Sequence, residues 1–252
     1  MKIKTLIIGW LYPELMNIYG DIGNIVALVK RCQWRDVRAE VKMLNPDFDY
    51  KQLDDCDLLL MGGAQDRQQT IVNNDLKRVK KYLKNKIDDG TPGLYVCGGF
   101  QFLGNYYKES DGTIVDGIGI FDLYTENPGG KSERLIGNMI FKPKVKGLTL
   151  PVVGFENHGG RTYLGKNIQP FGEVIVGFGN NGEDKTEGAI YKESFGTYAH
   201  GPILPKNPEF ADYLITKALE RKYNSKIELK PLDESLEEKA RIAIAKRLGV
   251  NL

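Results

Sequence analysis

A short apolar run that stops abruptly on a cysteine and two glycines is the feature that most constrains the fold. Residues 93–101 read GLYVCGGFQ, and Phe102 and Leu103 continue a helical pattern. This predicts a strand, a sharp turn and a helix, with Cys97 at the turn. Glycine tolerates a strained turn and allows a ligand to approach the main chain. Helix-start N–H groups favour the thiolate form of a cysteine, so the pattern indicates a nucleophile.

A purely structural cysteine is the alternative, because free cysteine is among the most buried residue types. The other two cysteines, Cys32 and Cys56, form no C-x-x-C pair with each other or with Cys97. An odd count without paired spacing argues against a disulfide or zinc framework and for a reducing cytoplasm. We therefore expect no metal site and a cytoplasmic location.

Composition excludes several classes of protein. The 252 residues are 41% hydrophobic and 27% charged, which is ordinary for a globular chain. The net charge of +2 gives no strong field for nucleic acid or an anionic membrane. No apolar run approaches the ~20 residues of a membrane span. The first residues predict a strand rather than a secretory signal.

The first half of the chain alternates strands with helices. Strands are predicted at residues 4–9, 38–44, 57–61 and 93–96, the second as an edge strand. Helices are predicted at residues 24–35 and 66–89, the second as a highly charged, solvated surface helix. Strands that alternate with helices predict parallel pairing with right-handed crossovers.

After Tyr107 the pattern changes to short strands and many glycines. These strands, at residues 120–124, 135–141, 151–155, 174–178 and 195–198, are expected to continue and flank the parallel core. Residues 208–223 predict a helix with an early proline. A last amphipathic helix is predicted at residues 233–248, with an inner face of Leu236, Ala240, Ala243, Ile244 and Leu248. With no repeat and no convincing linker, residues 1–252 are expected to form a single α/β domain.

Two glycine-rich segments could bind an anion. Gly62 and Gly63 end a predicted strand, next to the Cys97 turn if the sheet is parallel. There the N–H groups of Gly63 and Gly98 could form an oxyanion hole, although a plain tight turn is an equal alternative. Residues 129–132 read GGKS but lack the leading glycine and the following helix of a phosphate loop. No nucleotide or other cofactor is therefore expected in this chain.

A cysteine nucleophile that cleaves an amide needs a base and an acid, and histidine is the usual supplier. The chain has two histidines, His158 and His200, and each follows a predicted strand. Their positions barely indicate which of the two would be the partner of Cys97. A structural hydrogen-bonding role is at least as common for such a histidine.

Four motifs together resemble the cobyric acid synthase-like branch of class I glutamine amidotransferases. They are YGDIGN at residues 19–24, MGGAQD at 61–66, the C-G-G-F-Q elbow at 97–101 and YAHGPILPKNP at 198–208. The elbow has the C-x-G-x-Q form of that superfamily. FENHG at 155–159 and RLIGN at 134–138 also match the free-standing glutaminase subunits of lipid II isoglutaminyl synthases.

The resemblance implies a class I amidotransferase fold and hydrolysis of L-glutamine, with His200 as the partner of Cys97. Arg134 is the candidate for the substrate carboxylate, because a guanidinium grips carboxylates bidentately, and Gln101 is expected to help position the substrate. A solvated surface position is the commoner fate of an arginine.

The resemblance also implies a partner, because nothing in this chain can activate a carboxylate with ATP. That partner would be a Mur-ligase-like ATP-dependent subunit, with the D-glutamate α-carboxyl of lipid II as the acceptor and at most peripheral membrane contact. Amidation of a corrinoid precursor and a catalytically silent binding subunit are the rival readings.

One departure from the superfamily concerns the acid that orients the histidine. Most class I enzymes carry His-x-Glu, whereas Pro202 stands two residues after His200. The acid must come from elsewhere in the chain, such as Glu156, or from the partner. The partner is the source we expect, because the isolated chain would then hydrolyse glutamine only weakly until the ligase subunit is bound.

Overall fold

The structure is a computed structural model that describes residues 3–64, 66–129 and 134–252. Gln65 of the second glycine motif and most of the GGKS segment, residues 130–133, lie outside the described residues. The helices are α1 (Ile22–Gln33), α2 (Asp66–Asp88), α3 (Gly98–Phe102), α4 (Ile203–Lys206), α5 (Pro208–Tyr223) and α6 (Ser235–Arg247). The strands of the first half are β1 (Thr5–Leu11), β2 (Arg38–Leu44), β3 (Leu58–Met61) and β4 (Gly93–Val96).

The second half of the chain holds ten further strands within the described residues. They are β5 (Tyr106–Lys108), β6 (Ile114–Asp116), β7 (Leu123–Glu126), β8 (Leu135–Pro143), β9 (Val152–His158), β10 (Arg161–Leu164), β11 (Gly172–Val176), β12 (Thr186–Glu187), β13 (Ala189–Tyr191) and β14 (Ser194–Thr197).

The central sheet has the order β13-β14-β4-β3-β1-β2 across the described residues. All its pairs are parallel except the outermost pair, β13 with β14. Strands β3 and β4 are buried along their whole length, which explains their unbroken apolar sequences. The predicted strands of the first half are confirmed, and β2 lies at the edge of the sheet as predicted.

The helices beside this sheet each bury one face. Helix α1 buries Ile25, Leu28 and Cys32, and Arg31 of α1 forms an ion pair with Asp212 of α5 (Nε to Oδ1, 2.6 Å). Helix α2 is not simply a solvated surface helix. A heptad-like row of five side chains in it is fully buried, namely Val72, Leu76, Val79, Leu83 and Ile87. Lys77, Lys80 and Lys81 of α2 are exposed, whereas Asp75 and Lys86 are buried.

Most strands of the second half do not continue the parallel core, contrary to the sequence prediction. Strands β8, β9, β11 and β12 form an antiparallel sheet, whereas β5, β6, β7 and β10 form a mixed sheet in which β5 and β7 are parallel. The physical reason lies in the connections: parallel neighbours need a crossover of a dozen or more residues, whereas shorter loops favour antiparallel pairing. Among the described residues of the second half, β13 and β14 are the strands that join the central sheet.

Helix α6 is present close to where the sequence predicts it, but of its predicted inner face, Ile244 and Leu248 pack against the core and the three alanine and leucine positions before them do not. Arg241 and Ala245 are buried, whereas Leu236 is 77% exposed and Ala240 and Ala243 face solvent. Ala245 packs against Ile140 of β8 and Val153 of β9. Arg241 can be buried because its guanidinium donates to Pro151 O and pairs with Glu238. A pattern of apolar residues cannot predict a buried arginine.

The sheet topology brings several loops to one place. The carboxyl ends of β1, β3, β4 and β14 share one edge of the central sheet, which is where parallel α/β sheets bind ligands. The segments that begin at Tyr12, Gly62, Cys97 and Tyr198 therefore meet there. Within the described ranges, no helix has both the length and the apolar character required to cross a bilayer.

Candidate active site

Cys97 occupies a strained turn between β4 and α3. Its backbone has φ 51° and ψ −106°, a region that non-glycine residues seldom adopt. The Cys97 N–H donates to Thr197 O (2.9 Å), and the Gly99 N–H donates to Gly62 O (3.1 Å). These two bonds fix the turn between β14 and the loop after β3. The predicted strand, turn and helix around Cys97 are confirmed.

The glycines after Cys97 are required by close backbone contacts. A Cβ on Gly99 would come within 2.9 Å of both Met61 O and Gly62 O. A Cβ on Gly98 would lie 3.1 Å from the backbone nitrogen of Ala64. Strand β3 and its loop therefore press directly against the start of α3, and no larger residue fits without moving one of them.

His200 lies beside Cys97 at the same edge of the sheet. Its N–H donates to Phe155 O (2.7 Å), its own carbonyl accepts from the Phe155 N–H (3.2 Å), and its side chain is fully buried. Burial lowers the pKa of His200, but Cys97 and Asp21 raise it by more, to about 9. The ring of Tyr19 packs edge-on against the imidazole, with 5.0 Å between centroids. The structure therefore brings Cys97 and His200 together.

His158 is placed differently. Its Nδ1 lies 2.7 Å from Gly160 O, and its ring stacks on Tyr198 with 3.6 Å between centroids. Its Nε2 lies 3.5 Å from Glu156 Oε2, and burial lowers the pKa of the imidazole. These contacts are those of a buried structural histidine. The structure therefore distinguishes His158 from His200, which their positions in the sequence did not.

Gly63 and Gly98, the two expected oxyanion donors, differ in their surroundings. The Gly63 N–H donates to Asp21 Oδ2 over 2.7 Å, so its hydrogen already has a strong acceptor. The structure therefore does not support Gly63 as an oxyanion donor. Gly98 is the first residue of α3, where an N–H has no acceptor within its own helix. Its position next to Cys97 keeps it a candidate.

Arg134 and Gln101 lie against one turn, at residues 157–160. Arg134 donates from Nε to Asn157 Oδ1 and from Nη2 to Asn157 O, both over 2.9 Å. Gln101 is buried and donates from Nε2 to the Tyr198 hydroxyl (3.0 Å). A Cβ on Gly159 would approach the Arg134 guanidinium, and one on Gly160 would approach the Gln101 amide. The two predicted substrate-binding residues are thus near each other.

Three site residues were missed by reasoning from the sequence. Asp21 is fully buried, with Oδ1 lying 3.8 Å from His200 Nδ1. Tyr198 is buried between Gln101, Thr162 and the His158 ring. Glu187 accepts from the Thr197 hydroxyl and the Tyr198 N–H beneath that tyrosine. Asp21 follows Gly20 and precedes Gly23 by two residues, so in the sequence it is interpreted as a turn former.

Comparison with known proteins identifies the family. A family model described as the CobB/CobQ-like glutamine amidotransferase domain matches residues 7–208. The chain belongs to this amidotransferase family. Cys97 lies in the matched segment, as do His200 and Asp21.

The curated relatives of this amidotransferase include two described as the lipid II isoglutaminyl synthase (glutamine-hydrolyzing) subunit GatD. The protein from Staphylococcus aureus (strain N315) is 45% identical, covering 93% of this chain and 92% of its own. The protein from Streptococcus pneumoniae (strain ATCC BAA-255 / R6) is 40% identical, covering 91% and 86%. A probable cobyric acid synthase from Methanococcus maripaludis is 31% identical over 84% of this chain but only 44% of its own.

Solved structures support the fold of this amidotransferase. A crystal structure of a glutamine amidotransferase superposes with a TM-score of 0.56 at 12% identity, covering 83% of this chain and 98% of its own. The glutaminase domain of Trypanosoma brucei CTPS, with bound acivicin, gives a TM-score of 0.54 at 12% identity, covering 89% and 96%. The expected α/β amidotransferase fold is confirmed.

Proposed function

We propose that this chain is the glutaminase subunit of a lipid II isoglutaminyl synthase. It hydrolyses L-glutamine and supplies the ammonia to an ATP-dependent partner that amidates the D-glutamate α-carboxyl of lipid II. The observation that carries the proposal is the Cys97–His200 pair at the sheet edge of a chain 45% identical to a GatD subunit over nearly its whole length. This function belongs to peptidoglycan synthesis, and we assign it to the cytoplasm.

The first half-reaction makes a thioester. The Cys97 thiolate attacks the side-chain carboxamide carbon of glutamine, and the carbonyl oxygen becomes an oxyanion. The Gly98 N–H donates to that oxyanion. The His200 imidazolium then gives its proton to the departing nitrogen, so the carbon–nitrogen bond breaks and ammonia leaves. The raised pKa of His200, about 9, keeps this acid protonated near neutral pH.

The second half-reaction releases glutamate. Having lost its proton, the neutral His200 accepts one from a water molecule that attacks the thioester carbon. The carbon–sulfur bond then breaks, and Cys97 leaves as the thiolate, which restores the starting ion pair. His200 is therefore acid in the first step and base in the second.

Arg134 and Gln101 position the substrate in this proposal. The guanidinium of Arg134 pairs with the α-carboxylate of glutamine, while its bonds to Asn157 hold the side chain on the turn. Gln101 acts mainly through Tyr198, because its amide nitrogen donates to that hydroxyl. Arg134 determines the affinity for glutamine, and Gln101 helps to position the substrate by holding Tyr198 in place.

The partner in this proposal is a Mur-ligase-like subunit, which binds ATP and lipid II. This chain then requires no cofactor of its own, and its contact with the membrane is at most peripheral. The description of the two GatD relatives as subunits supports an assembly of this kind.

The test has two stages. Glutamate release from L-glutamine is measured first with the chain alone and then with a co-purified partner. Amidation of lipid II is then measured with ATP and glutamine together. The proposal requires both activities in the complex and neither after Cys97→Ser. Ammonia supplied as an ammonium salt should restore amidation in that variant complex, which separates a lost glutaminase from a lost assembly.

A further inference from the structure

Asp21 is a buried acid whose two carboxylate oxygens face Gly63 and His200. Oδ2 accepts the Gly63 N–H over 2.7 Å, and Oδ1 lies 3.8 Å from Nδ1 of His200. Asp21 and His200 are both fully buried. Neither Asp21 Oδ1 nor His200 Nδ1 has a hydrogen-bond partner among the described residues. A buried polar atom without a partner costs free energy, so two that face each other point to a bond made in the working state.

The other buried acids near the site are already engaged. Glu156 accepts the N–H groups of Phe178 and Gly179 and faces His158. Glu187 accepts from Thr197 and Tyr198. In the part of the chain that the structure describes, Asp21 is the acid that lies within 4.0 Å of a His200 nitrogen.

We propose that Asp21 is the positioning acid of this site, standing in for the glutamate that Pro202 replaces in the His-x-Glu pattern. Its Oδ1 accepts the Nδ1–H of His200, which fixes the tautomer and leaves Nε2 for the Cys97 thiol and the leaving ammonia. The 3.8 Å separation exceeds a hydrogen-bond length, and such bonds are often long before substrate arrives. The inference rests on the glutaminase mechanism proposed above.

The glycine loop after β3 is built around this carboxylate. A Cβ on Gly62 would come within 2.5 Å of Asp21 Oδ2, and one on Gly63 within 2.7 Å of Ile18 and 3.3 Å of His200. Glycine at both positions therefore leaves room for the acid beside the imidazole. The Gly63 N–H holds Oδ2, so the carboxylate keeps Oδ1 turned towards His200.

The negative charge of Asp21 also favours the ion pair between Cys97 and His200 in the proposed mechanism. Burial alone lowers the pKa of His200, while Cys97 and Asp21 each raise it. An internal acid would let the isolated chain form the ion pair without its partner. This differs from our expectation from the sequence, in which the partner supplies the acid.

The first experiment reads the tautomer in the wild-type protein. Long-range ¹H–¹⁵N imidazole spectra are recorded across a pH series, and the His200 signals are assigned by their loss in His200→Gln. With two histidines in the chain, the spectra are simple. Neutral His200 should carry its proton on Nδ1. A neutral His200 with its proton on Nε2 overturns the proposal, and this reading needs neither a variant of Asp21 nor turnover.

The second experiment removes the charge. Asp21→Asn keeps an oxygen for the Gly63 N–H, and Asp21→Glu keeps the charge. In a Cys97→Ala background, Asp21→Asn should lower the pKa of His200 by about one unit or more, because a near carboxylate stabilises the imidazolium. Glu156→Gln, which alters the acid facing the other histidine, is the matched control and should leave that pKa unchanged. An unchanged pKa in a folded Asp21→Asn protein overturns the proposal.

The third experiment measures turnover with Cys97 intact. Asp21→Asn should lower kcat for glutamine at least about tenfold with little change in KM, and Asp21→Glu should recover part of it. The same comparison is made in the complex with the synthase subunit. Wild-type kcat for Asp21→Asn in the complex would mean that the partner supplies the acid. If no variant or wild-type chain hydrolyses glutamine while the NMR results stand, the proposed function fails and the Asp21–His200 pairing does not.

Discussion

The Cys97 N–H donates to Thr197 O over 2.9 Å, which ties the turn that carries the thiol to the strand that leads to His200. Strands β4 and β14 are parallel neighbours, with Val96 paired to Thr197. The nucleophile and the imidazole therefore stand on adjacent strand ends, held by the backbone ladder itself. Their separation is set by the sheet and not by flexible loops, as a preorganised site requires.

Cys97→Ser should reduce glutamine hydrolysis at least about 100-fold and leave the melting transition cooperative. Serine is nearly isosteric, but its hydroxyl is a far weaker nucleophile than a thiolate. Cys56→Ser is the control, because the Cys56 thiol is buried and donates to Gln52 O, a bond that a hydroxyl can also make. Steady-state glutamate release and a thermal melt test this, and comparable activity in the two variants would remove Cys97 as the nucleophile.

Arg134→Ala should raise KM for glutamine roughly ten- to a hundredfold and change kcat less. The lost charge-assisted hydrogen bond is worth about 1.5–3 kcal/mol in both the ground state and the transition state. Arg134→Lys should recover only part of the affinity, because an ammonium lacks the bidentate fork. Arg38→Ala, on the exposed edge strand, serves as the control. Arg134 is exposed in the structure, and unchanged kinetics in Arg134→Ala would show that it does not bind the substrate.

The pH profile of kcat/KM should have an alkaline limb near pH 9. Burial lowers the pKa of His200, but Cys97 and Asp21 raise it by more, so it lies at about 9 instead of 6.5. The imidazolium that protonates ammonia is present below that pH and is lost as the pH rises through it. Initial rates at low glutamine between pH 6 and 10, with circular dichroism at each pH, give the limb. A limb near 6.5 would mean that neither neighbour acts on His200.

Reasoning from the sequence predicts the parallel half of this fold well. Strand β2 and helix α5 were predicted at the residues where the structure has them. Such segments have a clear apolar period and clear ends, like the proline at the start of α5. The two further sheets, one antiparallel and one mixed, were not predicted, because local pattern does not say which strands pair. The buried Arg241 was not predicted either, since its burial depends on a distant acceptor, Pro151 O.

The same division applies to the site. The Cys97 turn was predicted because strand, cysteine, glycine and helix are contiguous. Pairing it with His200 rather than His158 needed the family resemblance, since both histidines follow strands. Asp21 and Gly63 are 42 residues apart in the chain, and their hydrogen bond reassigns an N–H that was expected in the oxyanion hole. Long-range pairings of this kind are set by the sheet order and leave no local signal.

Glu187→Gln should change how stability depends on pH. Burial raises the pKa of Glu187 to about 7 from 4.5, against the lowering effect of its bonds to Thr197 and Tyr198. The folded state therefore holds this proton more tightly, and the free energy of unfolding falls as pH rises from about 4.5 to about 7. The glutamine side chain of the Glu187→Gln variant does not ionise, so this fall in the free energy of unfolding should be absent from the variant.

The measurement is the melting temperature at pH 5 and pH 8. Relative to wild type, Glu187→Gln should be more stable at pH 8 than at pH 5 by several degrees, since one pKa unit is worth about 1.4 kcal/mol. Glu183→Gln, an exposed acid four residues earlier, is the matched control. An equal difference at both pH values would show that Glu187 is ionised in the folded protein throughout this range.

The face that α6 buries can be tested with two substitutions in one helix. The structure buries Ala245 against Ile140 and Val153, whereas Ala243 is exposed. The sequence pattern predicts the opposite, with Ala243 on the inner face. Ala245→Lys should therefore destabilise the protein by about 1–3 kcal/mol through overpacking and a buried charge, and Ala243→Lys should have almost no effect. Both lysines lie near the helix C-terminus, where the dipole favours them equally. Urea unfolding gives both free energies, and the reverse order of stability would restore the face predicted from the sequence.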